Sequence, residues 1–373
     1  MDTSLPLTLL GGLSAETFMR RHWQKKPLLV RGAIASPGSL LPSRADLLAL
    51  AARDDVESRL IVGEGEGWKM RHGPLARRAL PSLNQPRWTL LVQGLDLHHD
   101  GAHGLLEHFG FLPAARLDDV MVSFATDGGG VGPHFDSYDV FLLQTQGQRR
   151  WRIGKQKDLS LRENLPLKVL ANFEPEQEFV LEPGDMLYLP PRYAHDGIAE
   201  GECMTCSIGF RAPRRGELAQ DILQRMAEHA AEDNEALYAD PRQPAVANAG
   251  AIPAEMAHFA QAAIAELLED GDAVACALGE YLTELKSQVW FEEGATFDPD
   301  GAVRLDRRTR MLYDARHVFI NGESFLASGR DARLMRQLAD HRRLEAGEVG
   351  KASAGARELL ADWCEDGWLR QGG

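Results

Sequence analysis

Two histidines and one acid in this 373-residue chain stand where they could share a metal ion. The first stretch is Gly128-Gly-Gly-Val-Gly-Pro-His134-Phe-Asp136, and the second runs from Pro183 to His195 through Gly184-Asp185 and the double proline Pro190-Pro191. Two imidazoles and a carboxylate on one face are the ligand set of a non-haem Fe(II) site with open positions for a co-substrate and O₂. In a strand, residues i and i+2 share a face, so His134 and Asp136 are expected to address one ion while Phe135 turns away. The His-x-Asp triplet alone says little. His98-His99-Asp100 repeats it, and with 12 histidines in the chain about one such triplet arises by chance. His98, His99, His103 and His108 lie in a polar turn leading into a helical stretch, and they read as surface and helix-packing residues.

The elements that must position these groups are short alternating strands between Gly and Pro turns, beginning at Asp119, the pattern of an antiparallel barrel. Val120, Val122 and Phe124 take one face of the first strand, and Met121, Ser123 and Ala125 the other. The triple glycine at 128 to 130 lacks the Gly-Lys-Ser/Thr ending of a phosphate loop and any following helix, so it reads as a sharp turn that delivers His134 and Asp136. A strand from Tyr138 to Leu143 is expected to turn at Gly147 and return through Arg149, with Arg149 sharing a face with Trp151 and Ile153. A lone arginine among inward apolar neighbours needs an anion; the alternative is a partly exposed strand on which Arg149 snorkels. His195 is expected on the turn after Pro190-Pro191, and Thr205 and Ser207 share one face of the closing strand. If the co-substrate is 2-oxoglutarate, its distal carboxylate requires a cation, and Arg149 is the candidate because guanidinium matches carboxylate bidentately. Ser123, Thr205 and Ser207 could add hydroxyl donors.

Bulk properties set limits on this chemistry. The length implies two or three domains. No apolar run approaches the ~20 residues that cross a bilayer, and the N-terminus lacks a signal-peptide pattern, so a cytoplasmic protein is expected. Four scattered cysteines form no disulfide framework, and Cys203-Met-Thr-Cys206 lies in a strand-like run, where buried thiols are the favoured reading. A formal net charge of -14 disfavours general affinity for nucleic-acid phosphate and suits a basic protein partner.

Upstream, helices are expected from Ser14 and over 43–53, with strands at Leu28, Arg59, Trp68 and Trp88. After Pro213 the strand signals stop. Leu218, Ile222, Leu223 and Met226 mark one amphipathic helix; Met256, Phe259, Ala263 and Leu267 a second; Leu278, Leu282, Leu285 and Val289 a third. Their wide apolar faces suit a homodimer interface or an intrachain spacer, and the interface is the favoured reading. Beyond Gly301 short strands, with a turn at Asn321-Gly322, alternate with helices around 334–341 and 357–364, which is the habit of a winged helix. The run Arg304, Arg307, Arg308 and Arg310 is balanced by nearby acids and reads as a solvated face.

His134-x-Asp136, the basic residue at 149 and the Gly-Asp…Pro-Pro…His195 element resemble the Jumonji-C, cupin-fold 2-oxoglutarate oxygenases. Trp23-Gln-Lys-Lys-Pro27, the glycine-rich lead-in to His134 and Gly209-Phe-Arg-Ala-Pro213 are similar to the bacterial ribosomal oxygenases, and the resemblance covers nearly the whole chain. It implies an α+β protein: a double-stranded β-helix Jumonji-C domain (1–213), a helical dimerisation domain (214–295) and a winged-helix-like domain (296–373). It implies Fe(II) held by His134, Asp136 and His195, and 2-oxoglutarate held by Arg149 with Ser123, while Thr205 departs from the family's usual amide. The implied activity is hydroxylation of an arginine side chain in a basic large-subunit ribosomal protein, using O₂, by a homodimer that binds neither membrane nor DNA directly. Asp127, Tyr138 and Asp139 are candidates to meet that side chain, with alternation placing Tyr138 on the metal side. The alternatives are a metallo-cupin oxygenase or isomerase acting on a small molecule, a histidyl- or lysyl-directed Jumonji-C enzyme, and a ligand-sensing cupin whose winged helix binds DNA.

Overall fold

The computed structural model describes residues 2–372 except 66, 234, 235 and 295, with the side chains of 229–233 also left aside. The chain divides into two compact units, Met1–Ala212 and Pro213–Gly373. The domain limits expected at 1, 295 and 373 lie outside the described residues.

The first unit is built on β-strands: β1 (Leu28–Val30), β2 (Ser58–Glu64), β3 (Gly67–His72), β4 (Trp88–Val92), β5 (Leu117–Ala125), β6 (Asp139–Gly154), β7 (Gln177–Leu181), β8 (Met186–Leu189) and β9 (Ala194–Phe210). All nine pair antiparallel in the order β1-β8-β6-β9-β5-β4-β2-β3, with β7 alongside the second half of β6. Two long strands, β6 and β9, pair along their whole lengths. Near its start β6 takes β8 as its other neighbour, and near its end β7, so the pair links both halves of the roll. Gly147 was expected to reverse the chain. Instead β6 runs through it, and the register of β6 against β9 slips there; Gly147 has φ 62, and a Cβ on it would sit 2.1 Å from the Glu202 carbonyl oxygen. The glycine serves as a bulge that bends one strand.

Alternation along β6 divides the core. Phe141 and Leu143 join the larger cluster with Phe18, Trp23, Phe109, Tyr188 and Phe210, whereas Val140, Leu142, Trp151 and Ile153 join a smaller one with Leu181, Leu187 and Tyr193. Helices α1 (Ala15–Arg21), α2 (Arg44–Leu50) and α3 (Asp100–Leu105) pack around the strands. Ser14 caps α1, and Ser43 with Asp46 forms a capping box on α2, as the serine positions predicted. The Trp23-Gln-Lys-Lys-Pro27 segment has a structural task. Trp23 stacks on Tyr188 at 5.9 Å, the Gln24 backbone N–H donates to the Tyr188 hydroxyl, and the Gln24 side chain donates to Asp139. Tyr188 and Arg116 also donate to Asp139, which is fully buried. Asp139 is therefore a satisfied core acid and does not meet a substrate.

In the second unit α4 (Arg215–Asp233), α5 (Ala254–Glu269) and α6 (Gly271–Thr283) precede a strand-and-helix module. The third expected helix is displaced. Asp270 caps α6 by accepting from the N–H groups of Asp272 and Ala273, and Thr283 bonds back to the carbonyls of Gly279 and Glu280 at its last residue. Leu285 and Val289 consequently lie beyond its end. Met256, Phe259, Ile264 and Leu268 of α5 are exposed. The module consists of β10 (Val303–Leu305), β11 (Met311–Tyr313), β12 (His317–Ile320), β13 (Glu323–Leu326), α7 (Gly329–His341), β14 (Arg343–Leu344), α8 (Ala346–Val349), α9 (Ala354–Glu365) and β15 (Leu369–Gln371). It forms two three-stranded sheets around a core of Val303, Leu338, Leu344, Leu360, Trp363 and Leu369. The arginine run is only partly a solvated face: Arg308 and Arg370 both bind Asp306, at 2.8 and 2.6 Å. None of the described helices is long and apolar enough to cross a membrane.

Candidate metal centre and its cavity

His195 is the second residue of β9, opposite Ile153 on β6. It lies in a strand rather than on the expected turn, because Pro190 to Tyr193 already make the reversal, with Arg192 at φ 63. His134 and Asp136 are not in a regular strand. The His134 and His195 backbones exchange N–H···O bonds of 2.9 and 2.8 Å in an isolated antiparallel bridge, and Arg192 N–H donates to the Asp136 carbonyl. Strand phase therefore did not aim the pair; this bridge does. Phe135, expected to face away, lines the same cavity as its neighbours. The glycines of the lead-in allow the close approach: a Cβ on Gly130 would lie 2.6 Å from the Gly197 carbonyl oxygen.

The bridge sets the imidazoles 4.3 Å apart, centroid to centroid. Nδ1 of His134 lies 2.9 Å from the Gly132 carbonyl oxygen, and Nδ1 of His195 3.1 Å from that of Tyr193. A carbonyl only accepts, so each Nδ1 carries the proton and each Nε2 lone pair is left for a metal. Asp136 Oδ2 stands 3.6 Å from His195 Nε2, and one donor atom from each of the three residues lies within 4.8 Å of the others. Among the described residues this is the one such grouping of three or more. Burial, helped by the nearby His134, pushes His195 down to about 4 against the pull of Asp136, so its imidazole is neutral at physiological pH, as ligation requires. His98 and His99 serve packing: His99 Nδ1 caps α3 and His98 sits 3.9 Å from Asp55.

A cavity of about 290 Å³ opens from the three donors. Arg149, 5% exposed, forms part of its wall, so the snorkelling alternative fails. One terminal nitrogen donates to the Ser123 hydroxyl at 3.2 Å, while Nε and Nη2 are buried without a partner among the described residues. Trp151 lies between Arg149 and the metal donors, its ring 5.8 Å from the guanidinium and 5.8 Å from the His195 ring. Ser123 and Ser207 reach the wall. Thr205 is not in the wall, and its hydroxyl donates to Gln144. Of the acids named from sequence, Asp127 caps the Gly201 N–H at the surface, and Asp139 is in the core. Tyr138 does line the cavity, and burial with the carboxylates of Asp136, Asp119 and Asp118 raises its hydroxyl, keeping it protonated. Asp119 was missed. It shares the alternation face of Met121 and Ser123, which could have revealed it, and it lines the cavity with them.

A two-histidine, one-carboxylate face fits Fe(II), and a buried guanidinium with two nitrogens unpaired among the described residues fits the far carboxylate of a dicarboxylic 2-oxo acid. Roll, donor set and buried cation together define a JmjC-type cupin oxygenase, and family models describe residues 104–218 as a JmjC domain and 266–370 as a ROXA-like winged helix. The chain is 35% identical over 277 residues to the ribosomal protein uL16 3-hydroxylase of Escherichia coli, spanning 73% of this chain and 72% of that protein. It is 38% identical over 226 residues to a probable ribosomal oxygenase of Haemophilus influenzae, spanning 59% and 55%. The structure of the E. coli ribosomal oxygenase YcfD with cobalt and 2-oxoglutarate superposes with a TM-score of 0.81 at 29% identity, covering 96% of this chain and 98% of that one. This chain belongs to the ribosomal oxygenase family.

Proposed function

We propose that this chain is an Fe(II)- and 2-oxoglutarate-dependent protein hydroxylase acting on an arginine side chain of a basic large-subunit ribosomal protein. The observation that carries the reading is Arg149, a buried cation with two unpaired nitrogens in the wall of the cavity that holds the His134, Asp136 and His195 donors. The similarity to the E. coli uL16 3-hydroxylase supports the choice of substrate. When bound, iron and 2-oxoglutarate supply O₂ activation coupled to decarboxylation to succinate and CO₂, with one oxygen atom inserted into an unactivated C–H bond of the substrate.

The residues of this chain do the holding. His134, Asp136 and His195 present one face of ligands, with both imidazoles fixed by backbone carbonyls. Arg149 takes the distal carboxylate, and Ser123 holds the guanidinium in place. Ser207 stands on the same wall, and Thr205 contributes by holding Gln144. At the mouth Asp119, which accepts the Gly94 N–H, offers a carboxylate to an incoming guanidinium, and Tyr138 offers a ring face. None of these residues is required to act as a general base.

The catalytic domain spans 1–213, the helical domain 214–295 and the winged-helix-like domain 296–373. The exposed apolar residues of α5 pair two copies of the chain, and the net charge of -14 suits a basic substrate in the cytoplasm rather than DNA. The test is to incubate the Fe(II)-loaded chain with 2-oxoglutarate and bacterial ribosomal proteins. The expected product is one basic large-subunit protein heavier by one oxygen atom, mapped to an arginine; no 2-oxoglutarate turnover with any basic protein would overturn the reading.

A further inference from the structure

One buried polar group in the cavity wall has no part in the fold or in the site as described. The Thr89 hydroxyl on β4 is 1% exposed, lines the cavity and has no hydrogen-bond partner among the described residues. A buried hydroxyl without a partner is costly, and native proteins retain few of them except where a ligand supplies the missing bond.

Its position says which ligand group that is. On the β4·β5 pair Leu91 stands opposite Ser123 and Thr89 opposite Ala125. Thr89 is therefore the diagonal neighbour of Ser123, with Cα atoms roughly 7–8 Å apart and both side chains on the same face. Among the described residues Ser123 is the one side chain that Arg149 bonds. The far side closes the same way: Ala125, beside Thr89, packs with Ala199 and Cys203, and Ala199 stands opposite Arg149 on the β6·β9 pair. Thr89 and Arg149 thus reach the same end of the cavity from two different strands.

We infer that Thr89 is a second anchor for the distal carboxylate of the 2-oxo acid, donating its hydroxyl hydrogen to one carboxylate oxygen while the Nε and Nη2 hydrogens of Arg149 engage the carboxylate as a fork. This rests on the co-substrate reading above. A carboxylate has about four acceptor sites, so it can take the fork and the hydroxyl together. The hydroxyl selects 2-oxo acids with a terminal carboxylate at this depth, and it leaves metal binding to the three ligands.

The test titrates 2-oxoglutarate into the full chain loaded with Mn(II), by calorimetry, and records thermal unfolding without ligand. Thr89→Val and Thr89→Ala are expected to bind 2-oxoglutarate roughly 5- to 15-fold more weakly, and Thr89→Ser nearly as tightly as the parent. Thr89→Val, which removes an orphaned hydroxyl at constant shape, is expected to unfold at the same temperature as the parent or higher; a structural role would lower that temperature. Unchanged 2-oxoglutarate affinity in both Thr89→Val and Thr89→Ala overturns the inference while leaving the co-substrate reading intact. Failure of the parent chain itself to bind 2-oxoglutarate overturns both.

Discussion

Two buried charges in this molecule, one in each unit, are treated in opposite ways. Asp306, 2% exposed, receives Arg308 through three hydrogen bonds and Arg370 through a fourth. Arg149, 5% exposed, has one neutral hydroxyl for a partner and two nitrogens with none. Asp139, in the same unit as Arg149, follows the first pattern, with Tyr188, Gln24 and Arg116 all donating to it. A buried charge whose bonds are complete holds a fold together, whereas one left short at a cavity wall is arranged for something that arrives later. Substituting the two kinds of residue should therefore separate function from stability.

The largest effect belongs to the donors beside Arg149. His195→Ala removes one of the three proposed metal ligands, and turnover of 2-oxoglutarate should fall by well over the ~10- to 100-fold that changes outside the ligand shell cost. Fe(II) retention after gel filtration checks it, and full activity in this variant would remove the metal centre from the comparison. Arg149→Gln comes next. Losing charge-assisted bonds should weaken 2-oxoglutarate binding on the order of 10- to 100-fold, while the thermal unfolding of the ligand-free chain stays the same or rises. A lower unfolding temperature would mean that Arg149, like Asp306, is structural.

Asp306→Ala should do the reverse. It strips the arginines of their common partner and should destabilise the winged-helix module by about 2–3 kcal/mol, below the full cost of breaking a buried pair because Arg370 is half exposed. Binding of 2-oxoglutarate should not change. The smallest effect is in acid. Despite its burial, hydrogen bonds from Arg308 and Arg370 and the charge of Arg308 hold Asp306 down at about 2, against 3.8 when free. Between those values the unfolded chain binds a proton that the folded chain does not. The stabilisation is complete above pH 3.8 and is lost as pH falls through about 2, on the order of 2 kcal/mol in all. Acid titration of the parent should show this slope, and Asp306→Asn should flatten it.

Much of the site was legible because its signals were local. His134, Asp136, Arg149 and His195 could be picked out from residue type and spacing, and the serine caps of α1 and α2 from single positions. The failures share a cause. Gly147 looks like a turn because a glycine with positive φ suits a turn and a bulge alike, and only pairing with a neighbouring strand distinguishes them. The third helix was misplaced because Asp270 as a cap outweighs the apolar spacing that continues past Thr283.

By itself the amino-acid sequence determined the residue types that could hold a metal ion and an anion, and the antiparallel, glycine-punctuated roll that carries them, since these follow from side-chain chemistry and period-two alternation. Only the tertiary structure decided that Arg149 is buried in the cavity wall, that His134 meets His195 through a backbone bridge, that Thr205 is spent on Gln144, and that Thr89 faces the cavity. Those facts depend on which strands lie side by side and in what register, and register is set by the packing of the whole sheet rather than by any one segment.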